Sequence, residues 1–176
     1  MKLFYKSGAC SLASHISLRE AGLTFEREAV DTQQKKTEKG RDYLTINPKG
    51  YVPALELDNG EVLTEGPAIL QYIGDQNPKS GIVPAAGTFE RNRVQEWLNF
   101  VTSEIHKSFS PLFRPTTPDA YKTIGRELLT RRLSYVAEHL KGKSYLVGDG
   151  FTVADAYLFT VLNWSPRINL DLGEWP

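Results

Sequence analysis

The opening of the chain alternates apolar and polar positions and then changes period. Leu3 and Tyr5 alternate with Lys2 and Lys6 up to the Ser7-Gly8 breaker, which predicts a strand. Leu12, Ile16 and Leu18 then recur at near-helical spacing, and Ala21-Gly22 ends that helix with the residue that best accepts a left-handed cap. Residues 25–30 return to a short strand, so the first segment reads as a βαβ unit with a right-handed crossover. Residues 31–39 are polar and charged and read as a solvated loop. After the turn signals Asn47-Pro48 and Lys49-Gly50, residues 51–57 are strand-like, with Pro53 where a central strand would lose a ladder donor. Asp58-Asn59-Gly60, between Leu55/Leu57 and Val62/Leu63, predicts an antiparallel hairpin closed by a type I′ turn. Glu65-Gly66-Pro67 opens a helix through Ala68, Ile69 and Ile73, with proline in the first turn, where its missing N–H is no loss.

The pattern changes again near residue 78. Pro78, Gly81, Pro84 and Gly87 punctuate a stretch with no period, which predicts a linker over 79–87 between a first domain at 1–78 and a second at 88–176. Beyond it only helical periods recur, over about 90–113, 118–140 and 152–164. The first domain is therefore α/β and the second all-α. On the first long helix Val94, Trp97, Leu98, Val101, Ile105, Phe109 and Leu112 share a broad apolar face, while Asn99, Ser103, His106 and Ser110 form a polar stripe. Thr152 and Asp155 have capping-box spacing ahead of the apolar run that opens the last helix. Trp97, Tyr121, Trp164 and Trp175 are read as core or pocket wall, core being favoured.

Composition narrows the class. In 176 residues, 21 Lys+Arg balance 21 Asp+Glu, so no long-range field is available to hold a polyanion, and nucleic acid is not the expected partner. Hydrophobic residues at 40% and charged residues at 24% sit near globular averages and exclude a disordered or rod-like chain. No apolar run has the length of a membrane span, and the amino terminus lacks a signal-like apolar stretch, so no membrane partner is expected and the cytoplasm is the expected compartment. The lone cysteine, Cys10, has no internal disulfide partner; it is either a small buried hydrophobe or a thiol kept for chemistry.

Its position favours the second. Cys10 falls between a strand and a helix, where unpaired N–H groups and the positive end of the helix dipole favour a thiolate, while Gly8 and Ala9 leave room for a ligand and Ser11 adds a hydroxyl donor. Glu65-Gly66, at another helix start, can bind a carboxylate through backbone N–H groups and an ammonium through the side chain, a combination suited to an amino-acid head group; an ordinary acidic helix start would look the same. Pro53 at the mouth of a strand is explained by a cis Val52-Pro53 bond that turns the Val52 amide toward a peptide-like ligand. His106 with Lys107 would place positive charge opposite a bound thiolate or carboxylate, although a lone His on a polar stripe is more often plain surface.

Cys10 at the first helix start, "VPAL" carrying Pro53, "LTEGPAILQYI", a linker and then "FTVADAYLF" together resemble a bacterial cytosolic glutathione S-transferase of the beta class, over nearly the whole chain. "SEIHKSFSPLF" points to the beta class in particular. The resemblance implies a thioredoxin-like first domain, a helical second domain and a homodimer. It implies glutathione as co-substrate, with no other cofactor and no metal, and a hydrophobic electrophile as second substrate. Matched motif to motif, Cys10 would contact the glutathione sulfur, Val52 before a cis Pro53 its cysteinyl backbone, Glu65 and Gly66 the γ-glutamyl end, and Lys35 the glycyl carboxylate. Asn99, Ser103, Glu104, His106 and Lys107 would complete the site, some of them from a partner subunit. Tyr5 lies where other classes keep a catalytic tyrosine, on which the beta class does not depend. Relatives continue past Gly173-Glu174-Trp175-Pro176, so the family's last helical segment is expected to be missing.

Three activities fit those residues. Conjugation would use Cys10 and His106 as catalytic donors to the glutathione sulfur; thiol transfer or peroxide reduction would use Cys10 as nucleophile. A binding or dimerisation module would use neither.

Overall fold

Leu3 and Phe4 are adjacent in the first strand, so their side chains leave on opposite faces, and both are completely buried. That requires a strand covered on both sides, and the topology supplies it. In the computed structural model, which describes residues 1–175, β1 (Lys2–Tyr5) is the middle strand of a five-stranded sheet ordered β3-β2-β1-β4-β5. It pairs in parallel with β2 (Glu26–Asp31) and antiparallel with β4 (Ala54–Glu56), which pairs in turn with β5 (Val62–Thr64). Helices α1 (Ser11–Glu20) and α2 (Gly66–Gln76) pack on each other and bury Leu18, Ile69, Leu70 and Ile73, while Phe4 packs with Val30, Tyr43, Ile46, Val52 and Ala54.

Two local readings of the sequence are corrected, and a third, the Pro/Gly-rich stretch, gains detail. The polar stretch 31–39 is not all loop: Lys36–Thr37 form β3, antiparallel to β2, with Thr37 buried. The hairpin forms, but not through a type I′ turn, because only Gly60 has positive φ (85°) and Asn59 does not. Gly60 N–H donates to Leu57 O and Leu57 N–H to Glu61 O, which is a type I turn followed by a glycine bulge. The Pro/Gly-rich stretch is partly core: Ile82 and Val83 are buried, and a Cβ on Gly74 of α2 would meet Val83 Cγ2 at 2.2 Å, so only glycine lets the chain cross there.

The described residues form two compact units, Met1–Ala86 and the chain from Gly87 onward. The second is helical throughout: α3 (Phe89–Phe100), a π-helical segment Val101–His106, α4 (Lys107–Phe113), α5 (Asp119–Leu140) and α6 (Val153–Leu162). The single long helix expected over 90–113 is therefore interrupted, and its polar stripe does not keep one helical period. Trp97 and Trp164 are core, whereas Tyr121 is exposed. No helix among the described residues is long and apolar enough to cross a membrane.

The start of α6 is fixed by one carboxylate. Asp155 Oδ2 accepts from the Thr152 N–H (2.8 Å) and hydroxyl (2.7 Å), and Oδ1 accepts from the Leu146 N–H (2.8 Å), so the capping box also clamps the preceding loop to the helix. Replacing Asp155 with Ala strands two partly buried N–H donors and is expected to lower the unfolding free energy by about 2–3 kcal/mol. Urea titration should show a reduced midpoint with an unchanged slope; an unchanged midpoint would refute the role of the clamp.

Candidate functional site

Cys10 is the N-cap of α1, preceded by Gly8 at φ 72°. Its thiol donates to the Val52 carbonyl at 3.2 Å, tying the first helix start to the mouth of β4. The expected thiolate is not what this environment favours. Burial pushes the thiol up to about 11, against the lowering pull of the Cys10 and Ser11 N–H groups, and the Glu65 carboxylate adds a further push upward. Near neutral pH Cys10 is a neutral S–H donor. Ser11, expected to offer a hydroxyl to a ligand, is instead buried with its Oγ bonded to the Lys6 carbonyl and N–H.

The Val52–Pro53 peptide bond is cis. Val52 is held from behind: the Tyr43 hydroxyl (2.7 Å) and Asn47 Nδ2 (2.8 Å) both donate to the Tyr51 carbonyl, and Tyr43 and Asn47 are themselves buried. Among the described residues the Val52 N–H has no hydrogen-bond partner. Tyr43 and Asn47 were not singled out in the sequence. The usable signal was chemical, since an inward-facing phenol and amide must find acceptors.

Two lysines flank this edge. Lys35, in the left-handed region at φ 58°, sends its ammonium to the Gly50 carbonyl at 2.9 Å. Lys49, also missed in the sequence, bonds Glu65 Oε1 at 2.7 Å and Thr64 Oγ1 at 3.0 Å. Glu65 caps α2 at φ 70°, ψ 118° with no side-chain bond to the helix, a conformation that costs a non-glycine residue of order 1 kcal/mol. The Gly66 N–H has no partner among the described residues, and the space beside its Cα is open. Sulfur, strand-edge amide and acidic turn thus meet on one side of the first unit: Cys10 touches Val52, and the charge of Glu65 is felt at Cys10.

The second unit carries the other candidates. Asn99, Ser103 and Lys107 are exposed, with Ser103 Oγ bonded back to the Asn99 carbonyl. Glu104 is engaged by Arg132, with Nη2 at 2.7 Å and Nε at 2.8 Å. His106 shares a 2.7 Å hydrogen bond between Nδ1 and the Tyr157 hydroxyl and packs edge-on to Trp164. Burial, then the charge of Lys107, lowers it to about 4, so it is neutral near pH 7 and the positive charge expected of it is absent. A neutral imidazole can still donate or accept one hydrogen bond.

Comparison with known proteins identifies the family. The glutathione S-transferase N-terminal domain model matches residues 8–76 and the C-terminal domain model residues 100–176. Glutathione S-transferase GstA of Escherichia coli O157:H7 is 52% identical over 172 residues, covering 98% of this chain and 86% of that protein. A sphingomonad glutathione S-transferase complexed with glutathione superposes with a TM-score of 0.96 at 49% identity, and a beta-class enzyme from Sphingomonas chungbukensis with 0.96 at 46%; each match covers all of this chain and 88% of the other. The chain belongs to the glutathione S-transferase family, and its resemblance is to the bacterial beta class. Its sheet-and-helix first unit and helical second unit are the two halves of that fold.

The His106 environment sets a pH dependence. Because its folded-state value lies below the ordinary 6.5, its contribution to stability is complete above pH 6.5 and is lost as pH falls toward 4. Allowing for partial exposure, the loss is about 2 kcal/mol. Wild type and His106→Gln, compared by denaturant unfolding from pH 7 to 4, should differ in slope across that window. Parallel curves would show that the histidine is not held neutral.

Proposed function

We propose that the protein conjugates reduced glutathione to apolar electrophiles, with Cys10 donating a hydrogen bond to the glutathione sulfur. The observation that carries this is the neutral Cys10 thiol beside Val52. A thiol held near 11 is ionised to only about one part in ten thousand at pH 7, which suits a donor and disfavours a nucleophile for thiol transfer or peroxide reduction. Glutathione loses its thiol proton to solvent, its sulfur attacks the electrophilic carbon, a C–S bond forms and the leaving group departs with the bonding pair. A donor aimed at that sulfur stabilises the thiolate and so raises its working fraction at neutral pH.

In this reading the Cys10 S–H turns from the Val52 carbonyl to the glutathione sulfur, the Val52 N–H and the carbonyl so released pair with the cysteinyl backbone, Lys35 meets the glycyl carboxylate, and Glu65 and Gly66 hold the γ-glutamyl group. A sphingomonad relative complexed with glutathione supports glutathione as the ligand, and the residue roles follow from the match of motif to motif. Asn99, Ser103, Glu104, His106 and Lys107 enter through the family likeness, with neutral His106 as a second hydrogen-bonding group. We assign a homodimer and a cytosolic location on the same likeness and on the single cysteine. A monomer mass in sedimentation equilibrium at micromolar concentration would refute the assembly.

Cys10→Ala and His106→Ala should each lower kcat with a chloronitroaromatic by about tenfold, the worth of one hydrogen bond to a charged group, without abolishing turnover. Full activity in both variants would overturn the catalytic assignment. Intact mass after incubation with oxidised glutathione should show no adduct on wild type; an adduct lost in Cys10→Ser would establish the nucleophilic role instead. Retention on immobilised glutathione without any turnover would make the protein a binding module.

A further inference from the structure

We infer that Lys49 is a substrate-recognition residue that takes the α-carboxylate of the γ-glutamyl group, so that Lys49 and Glu65 together read that group as a zwitterion. The inference rests on the glutathione reading above and adds to it a residue to which neither the sequence motifs nor the family likeness gave a part. Glutathione carries one ammonium and two carboxylates. The first unit presents the complement: the Glu65 carboxylate with the Lys49 ammonium bonded to it, and the Lys35 ammonium on the Gly50 carbonyl.

The geometry of Lys49 suits exchange with a ligand. Its ammonium has three donors, of which two are used, by Glu65 Oε1 at 2.7 Å and Thr64 Oγ1 at 3.0 Å. The pair is solvent-exposed, 51% for the lysine side chain and 65% for the glutamate, and exposed pairs of this kind hold together only weakly. Opening it costs little. A substrate that inserts its ammonium against Glu65 and its carboxylate against Lys49 replaces one ion pair with two, and no charge is left unmatched.

The backbone of Lys49 is well placed to hold that position. Its N–H donates to Asn47 Oδ1 at 3.1 Å, and the same buried Asn47 anchors the Tyr51 carbonyl beside Val52. One side chain therefore ties the backbone of the lysine to the peptide edge. The free Gly66 N–H supplies a second donor for the same carboxylate.

Two analogues separate the charges: 4-aminobutanoyl-Cys-Gly lacks the α-carboxylate, and glutaryl-Cys-Gly lacks the ammonium. Calorimetric titration of wild type should show glutathione binding about tenfold more tightly than 4-aminobutanoyl-Cys-Gly, the worth of one charge-assisted contact. In Lys49→Met that gap should close to about twofold, in Lys49→Arg it should persist, and the penalty for glutaryl-Cys-Gly should remain in Lys49→Met because Glu65 is intact. Equal gaps in wild type and Lys49→Met would overturn the role of Lys49 while leaving the glutathione site standing. Tighter glutathione binding by Lys49→Met would show that the lysine only competes for Glu65, which also overturns it. Failure of wild type to bind glutathione at all would overturn both the inference and the reading beneath it.

Discussion

The S–H of Cys10 resting on the Val52 carbonyl couples two segments forty-odd residues apart in the chain, the first helix start and the mouth of the fourth strand. The donor proposed for the glutathione sulfur depends on that placement. Burial keeps the thiol neutral, and the contact brings a hydrogen-bond donor beside a peptide edge whose own N–H has no partner among the described residues. The supports lie one layer back. Tyr43 and Asn47 pin the Tyr51 carbonyl, and buried Phe4 and Ile46 pack around the same segment. A cavity or an unpaired polar group in that layer would be felt at the ligand edge although no ligand touches it.

The local pattern carried most of the first unit. Alternation around Leu3, the Asn59-Gly60 pair and the Glu65-Gly66-Pro67 helix start were legible because each has a short-range physical cause: pleat, turn geometry and an orphan N–H. What escaped was set by tertiary neighbours. Residues 36–37 become a strand because β2 has a free edge to pair with, a fact invisible in their charged side chains. The type of hairpin turn was decided by which residue, Gly60 alone, takes positive φ. Ionisation was legible only in part: helix-start logic argued for a thiolate at Cys10 and the Lys107 neighbour for a charged His106, whereas burial favours the neutral donors that the conjugation reading requires.

The π-helical turn at Val101–His106 is the corresponding lesson for the second unit. A 3.6-residue period drawn across residues 90–113 finds the apolar face, since Val94, Trp97, Leu98, Val101, Ile105 and Phe109 are all buried. It does not find the polar side. The inserted turn re-aims the residues between 101 and 106, and π-bulges of this kind are enriched where function constrains the backbone. His106 closes that segment with its ring fastened to Tyr157 on α6, so the wider turn and the part-buried hydrogen bond fix one side chain together.

Glu65 illustrates a conflict between two demands on a single codon. Its backbone sits at φ 70°, where glycine would rest without strain, and its carboxylate gives nothing to the cap of its own helix. Pressure for thermostability therefore pulls this position toward glycine, and pressure to hold a positively charged ligand group pulls it back toward glutamate. Libraries screened only for heat resistance would be drawn to this position first, and would trade recognition for a more relaxed chain.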